Sequence, residues 1–348
     1  MRPSRRPESG HGAAARAASP GRVAGLRELG RGVMLLAFWL SLGAAAPAPA
    51  KARIRYVTSG GVRYLYLTDV ASFYGMRYES GRQRFALRSR YSSVSLTVDE
   101  TEAVVNGTRV HLSDAPWVAK GYAVLADVDF RLLLTPILSA AGLRRGDVRR
   151  VLIDPGHGGK DPGTLGKRTK EKDVALQVAR RLEKELTAKG YVVALTRTRD
   201  TDLSLGARAL KAASWKADIL VSVHCNAAGA GVKGLEVFRV PPQGARSTYG
   251  TQRSTSSSTN NRWDKDNARL AYEVQRAAVA ATGAVDRGMK NARFAVLREC
   301  PCPAVLVEMG FMSYPAEEAN LASAAYQAKL AKGIATGIGR YDACLPPN

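Results

Sequence analysis

Residues 151–159 read VLIDPGHGG, so His157 leaves an apolar strand pattern and stands inside a glycine cluster, where burial alone would gain it little. The other histidines are His11, His111 and His224. His224 ends the run DILVSVH and Glu308 ends PAVLVE, which puts a second imidazole and a carboxylate at strand ends as well. Glu171 opens a helical pattern after the loop GGKDPGTLGKRTK. Two histidines and one glutamate form a known catalytic zinc set that leaves a fourth position open for water. From the residues alone, Glu171 and Glu308 are each candidate ligands or bases. A strand-end histidine can also be a satisfied structural group, and a first-turn glutamate can simply complement the helix dipole. Gly156, Gly158 and Gly159 would let the backbone bend around a ligand, and Asp154, Asp161 and Asn226 are near enough in sequence to orient one.

These residues need elements that bring them together. From 150 onward, strand-like VLID, YVVALTR, ADILVSVH, KGLEVFRV, FAVLR and PAVLVE alternate with helical patterns. The helices are expected over Glu171–Lys189, with Val174, Val178, Leu182 and Leu186 on one face and Gly190 as the stop, then from about Ser204, over Asp266–Thr282 and from about Ala316. That rhythm predicts an α/β fold, a mostly parallel twisted sheet flanked by helices over 150–341. In an open parallel sheet the carboxyl ends of the strands share one edge, where ligands bind. His157, His224 and Glu308 would converge there, and Glu171 would join them from the first turn of its helix.

A different pattern precedes it. Over 52–146, FALRSRYSSVSLTV alternates with period two and AVVNGTRVHL sets Asn-Gly between two strand-like runs, a strong hairpin signal. Short helices are expected at LTDVASFYG and FRLLLTPILSAAG, giving a small β-rich (α+β) domain joined through the basic segment GLRRGDVRR. Residues 1–50 carry seven arginines, then the apolar run VMLLAFWLSL and the small-residue run GAAAPAPA, the order of a secretory signal peptide with cleavage expected after Ala50. Ten apolar residues are too few to span a bilayer as a helix, which needs about 20. The 348-residue chain has a net charge of +22, and removing residues 1–50 takes away seven basic and two acidic groups, leaving +17. An exported protein so basic, in the periplasm or outside the cell, is expected to meet anionic cell-wall or envelope polymers or membrane surfaces, and no nucleic-acid motif is present. Four cysteines make no disulfide scaffold, although an oxidising compartment would permit a bridge from Cys300 or Cys302 to Cys344.

The motifs VLIDPGHGGKDPG, EKDVAL, SVHCNAA, GLEVF, RFAVLR and PAVLVEMGFMS stand in the order seen in zinc-dependent N-acetylmuramoyl-L-alanine amidases, and the chain resembles that family over about 150–341. The resemblance implies zinc held by His157, Glu171 and His224, with Glu308 assisting catalysis. It implies hydrolysis of the amide joining the lactyl group of N-acetylmuramic acid to L-alanine of the peptide stem. Cys225 stands where alanine is common and Tyr314 where asparagine is usual, neither being a ligand or base in the family pattern. Some relatives block the site with an inserted helix. Here the corresponding segment, PPQGARSTYGTQRSTSSSTNNRW, is rich in loop formers and is expected to stay a surface loop. Arg287, Lys290 and Arg293 are candidate partners for stem-peptide carboxylates. The stretch VVNGTRVHLSDAPWVAKGYAVLADVDFRLLLTPIL resembles the copper amine oxidase N-terminal-like domain, with no copper implied because His111 is its only histidine, and suggests a wall-positioning element or a spacer. Two rival functions remain at this level, a non-catalytic wall-binding protein and a zinc peptidase acting within the stem.

Overall fold

A computed structural model describes residues 53–348; the expected signal peptide over 1–50 lies outside the described residues. Strands β1 (Tyr56–Ser59) and β2 (Val62–Tyr66) form a hairpin, followed by helix α1 (Leu67–Phe73). An antiparallel meander follows, β3 (Arg77–Ser80), β4 (Arg84–Arg88), β5 (Ser93–Thr97), β6 (Glu102–Val105) and β7 (Thr108–His111). The single period-two run expected over 85–98 is two strands because Ser89 Oγ accepts from the backbone N–H of Tyr91 (3.2 Å) and Ser92 (3.0 Å), closing a turn. The β6–β7 turn is the expected Asn-Gly hairpin, with φ of 48° at Asn106 and 81° at Gly107. β8 (Trp117–Ala119) and β9 (Tyr122–Ala126) return to β2, completing a four-stranded sheet in the order β1-β2-β9-β8. Helix α2 (Asp127–Asp129) and α3 (Thr135–Ser139) flank a π turn at Phe130–Leu134, where Pro136 lacks the N–H that would continue the α-helical ladder.

The α/β region comprises β10 (Arg150–Pro155), α4 (Glu171–Thr187), β11 (Val192–Leu195), α5 (Leu205–Ser214), β12 (Ile219–Asn226), β13 (Leu235–Arg239), α6 (Asp264–Thr282), β14 (Asp286–Asn291), α7 (Ala295–Arg298), β15 (Ala304–Phe311), α8 (Pro315–Ala322) and α9 (Ala324–Asp342). Strands β11, β10, β12 and β15 run parallel, while β13 is antiparallel to β15 and β14 follows β13. The mostly parallel sheet flanked by helices is therefore present, with two reversed strands on one side. β14 then pairs with β7 at Met289 and Val110, so the meander and the α/β strands share one eleven-stranded sheet. Gly288, at φ 82°, makes that junction possible: a Cβ there would fall 2.9 Å from the Arg109 backbone oxygen.

Three elements depart from the sequence expectation. FAVLR is a helical turn, the strand β14 lies just before it, and the last helix is two, broken at Ser323 in extended conformation (ψ 126°). The core lies on the α4, α6 and α9 side, where Val174, Val178, Leu182, Val274, Leu330, Ile334 and Ile338 are fully or almost fully buried. Cys300 and Cys302 face each other at 3.5 Å, whereas Cys344 meets Arg269 Nη2 at 2.7 Å, so neither of the permitted bridges to Cys344 is formed.

Candidate active site

β10 leads into His157. Asp154, completely buried, accepts from Thr196 Oγ1 (2.5 Å), Ser222 Oγ (2.7 Å) and Arg208 Nη1 (2.8 Å). Arg208 also donates to the carbonyls of Pro155 (2.7 Å) and His157 (2.8 Å), and Arg197 to those of Pro155 (3.1 Å) and Gly156 (2.6 Å). Two buried guanidiniums thus hold three successive carbonyls and keep His157 at φ 56°, a left-handed conformation that costs a non-glycine residue about 1–3 kcal/mol without such support. His157 Nδ1 meets Asp161 Oδ2 at 2.7 Å, turning Nε2 toward Glu171 Oε1 at 3.0 Å.

Glu171 opens α4, only 3% exposed. Its Oε2 accepts from the N–H of Thr164 (2.8 Å), and its Oε1 from the N–H of Cys225 (2.9 Å) while lying 2.9 Å from His224 Nδ1. Burial opposes its ionisation, but hydrogen bonds from His157 and His224 outweigh that and hold the carboxyl well below the usual range. Burial likewise works against the His157 cation, yet Glu171 and then Asp161 raise its proton affinity above the ordinary value. Two glycines make room: a Cβ on Gly156 would lie 2.3 Å from His224 Cε1, and one on Gly163 2.6 Å from Glu171 Oε2.

One donor atom each from His157, Glu171 and His224 lies within 4.8 Å of the others. Ligands about 2.0–2.1 Å from a tetrahedral zinc stand roughly 3.3 Å apart, so the observed 2.9 and 3.0 Å need only small adjustment, and the N, N, O donor set suits that ion. These side chains fit a metal.

β12 and β15 pair His224 with Glu308, and β15 and β13 pair Glu308 with Glu236. Glu308 is 8% exposed and its Oε2 is buried without a hydrogen-bond partner. Burial first, then the charges of Glu171 and Glu236, push its carboxyl well above the ordinary range. The four residues line one cleft of about 360 Å³ whose other walls are largely apolar, among them Leu205, Phe294 and Leu306.

Several expected roles change. Asn226 Nδ2 donates to Glu236 Oε1 (2.9 Å), and Asp154 acts on the loop through Arg208. Lys290 is 3% exposed, with its ammonium engaged by Glu236 and the Tyr249 hydroxyl; Arg287 donates to Glu236 Oε2 (2.9 Å), and Arg293 binds Ser254 Oγ. Buried ion pairing, rather than a free ligand contact, accounts for Lys290. No helix intervenes between β13 and the 3₁₀ turn Thr259–Trp263; the intervening loop is tied down by Arg253–Asp114 and by Thr248 N–H to the Asn291 carbonyl (2.8 Å). Arg197 and Arg208 were missed by sequence reasoning, although Arg208 lies one turn before Ala212 on the buried face of α5.

Residues 151–340 match the family described as N-acetylmuramoyl-L-alanine amidase. The chain is 36% identical over 191 residues to N-acetylmuramoyl-L-alanine amidase LytC of Bacillus subtilis, covering 55% of this chain and 35% of that protein. It is 35% identical over 191 residues to the sporulation-specific N-acetylmuramoyl-L-alanine amidase of the same organism, 54% of this chain and 66% of that one. A solved amidase from Clostridium difficile 630 is 37% identical, spanning 56% of this chain and 97% of that one at a TM-score of 0.48. The chain thus spans about a third and just under two thirds of the two curated relatives. With the family match running from the strand that leads into His157 to the last helix, the chain belongs to the N-acetylmuramoyl-L-alanine amidase family.

Proposed function

We propose that the protein is a zinc-dependent peptidoglycan hydrolase that cleaves the amide between N-acetylmuramic acid and L-alanine of the stem peptide. The observation that carries this reading is the placement of an unpartnered, buried Glu308 beside the His157, Glu171 and His224 donors in one cleft. Zinc, when bound by those three residues, would polarise the amide carbonyl and acidify a water. Asp161 fixes the His157 ring, and the backbone N–H groups of Thr164 and Cys225 fix Glu171, so the donors are set before any ligand arrives. Glu308 takes the proton from the attacking water at its carboxylate and delivers it to the departing L-alanine nitrogen. Largely apolar walls surround that exchange.

The protein acts outside the cytoplasmic membrane after removal of residues 1–50, with the strands before residue 146 as a wall-positioning element. N-terminal sequencing of the exported form should read Lys51 first. Mass spectrometry of digested peptidoglycan tests the reaction: intact stem peptides released from the glycan mean amidase. Shortened stems would mean a peptidase, and unchanged polymer a wall-binding protein.

A further inference from the structure

A second cleft lies apart from the one that holds Glu308. It measures about 700 Å³ and shares no residue with the first. One wall comes from the β1–β2 turn and the start of the α2 stretch, the other from the loop and 3₁₀ turn between β13 and α6. Four arginines line it, Arg63, Arg131, Arg253 and Arg262, among hydroxyl and amide side chains such as Ser257 and Gln243.

Their charges are not equally available. Arg131 is paired with Asp127 at 2.9 Å, and Arg253 is held by Asp114. The other acid of the cleft, Asp264, is 8% exposed, accepts from Asn261 (2.9 Å) and is pushed up by burial to about 6. Arg63 and Arg262 have no carboxylate partner among the described residues. Each lies instead against an aromatic ring, Arg63 at 4.5 Å from the Tyr56 centroid and Arg262 at 5.5 Å from that of Trp263, and Arg262 is further fixed by the Pro301 carbonyl at 2.7 Å. A guanidinium resting on a ring has its edge N–H groups turned outward for an oxyanion, all of them at Arg63 and those not given to Pro301 at Arg262, and the hydroxyl and amide lining matches a ligand rich in hydroxyls.

We propose that this cleft is a second, non-catalytic binding site for an oxyanion-bearing wall polymer, with Arg63 and Arg262 taking its carboxylate or phosphate groups. The choice of a wall polymer rests on the amidase reading. Under that reading the reaction itself leaves a new carboxylate on each lactyl group, so a stripped glycan strand is a polyanion; a phosphodiester polymer attached to the wall presents the same charge and hydroxyls.

The test uses the full chain and two probes: peptide-free muramyl glycan strands, which carry carboxylates and no phosphate, and poly(glycerol phosphate). Binding is measured by calorimetry for the wild type, for R63A/R262A, and for R82A/R90A, in which two exposed arginines without carboxylate partners are removed outside the cleft. R63A/R262A is expected to lose about tenfold or more in affinity for whichever probe binds, while R82A/R90A keeps wild-type affinity. Matching melting temperatures exclude loss of fold, and peptide release from a small soluble muropeptide should be unchanged in R63A/R262A. The proposal is overturned if neither probe binds, if R63A/R262A binds like the wild type, or if R82A/R90A loses as much, since net charge would then suffice. A wild type that binds through Arg63 and Arg262 but releases no peptide from the muropeptide would sink the amidase reading and leave the site standing.

Discussion

Glu308 and His224 are register partners on adjacent strands, yet their surroundings differ. His224 reaches Glu171 at 2.9 Å, while Glu308 Oε2 meets no donor. Under the zinc reading, E308Q should lower turnover by about 10²- to 10⁴-fold with metal content unchanged, because the amide keeps the shape but cannot take up a proton. H157A and H224A should each lose the metal and the activity together, since two protein ligands are too few. Atomic absorption beside a muropeptide release assay reads both on the same preparations, and a metal-free E308Q would make Glu308 a ligand. Asp161 acts through the His157 ring, so D161N should weaken zinc affinity by about ten- to a hundredfold, measured by competition with a chelating indicator. The convergence of His157, Glu171, His224 and Glu308 on one cleft was legible because each closes a strand pattern or opens a helix. Arg197 and Arg208 were not, because the groups they hold are backbone carbonyls, which leave no mark in the sequence.

At the scale of elements, α4 was readable from its apolar face alone, and it runs from Glu171 to Thr187 as its pattern asks. β14 was not: DRGMKN has no alternation and becomes a strand only because β13 and β7 supply its ladder. The seam between α6 and α9 depends on two glycines, and a Cβ at Gly337 would sit 2.5 Å from the Val274 Cα, against backbone that cannot swing aside. G337A should therefore destabilise the fold by up to about 2 kcal/mol, the overpacking cost of about 1–3 kcal/mol outweighing the roughly 1 kcal/mol that alanine gains in a helix. Urea unfolding is the measurement, with a lower midpoint and an unchanged slope expected. A higher midpoint would mean that the two helices separate at little cost.

For the whole molecule, the composition change near residue 146 is real but does not separate the strands on either side. Arg239 Nη1 donates to the Leu132 carbonyl (2.6 Å), Arg269 Nη1 to the Ile137 carbonyl (2.8 Å) and the Tyr272 hydroxyl to the Val105 carbonyl (3.2 Å), all across that boundary. A chain beginning at residue 147 would uncover the edge of β14 and leave the buried Arg239 short of an acceptor. It should melt at lower temperature than the longer protein and aggregate more readily, checked by calorimetry and light scattering. The sheet junction was invisible in the sequence because a single register pair and one glycine create it. The glycines themselves carry one more consequence, for the tolerance of the gene to mutation. At Gly206 and Gly229 no atom lies within 4 Å of an added Cβ and the backbone is ordinary, whereas at Gly156 the smallest possible side chain would overlap the His224 ring. In a saturation library selected for activity, positions 206 and 229 should fill with other residues while position 156 stays glycine, a record of where the fold leaves drift no room.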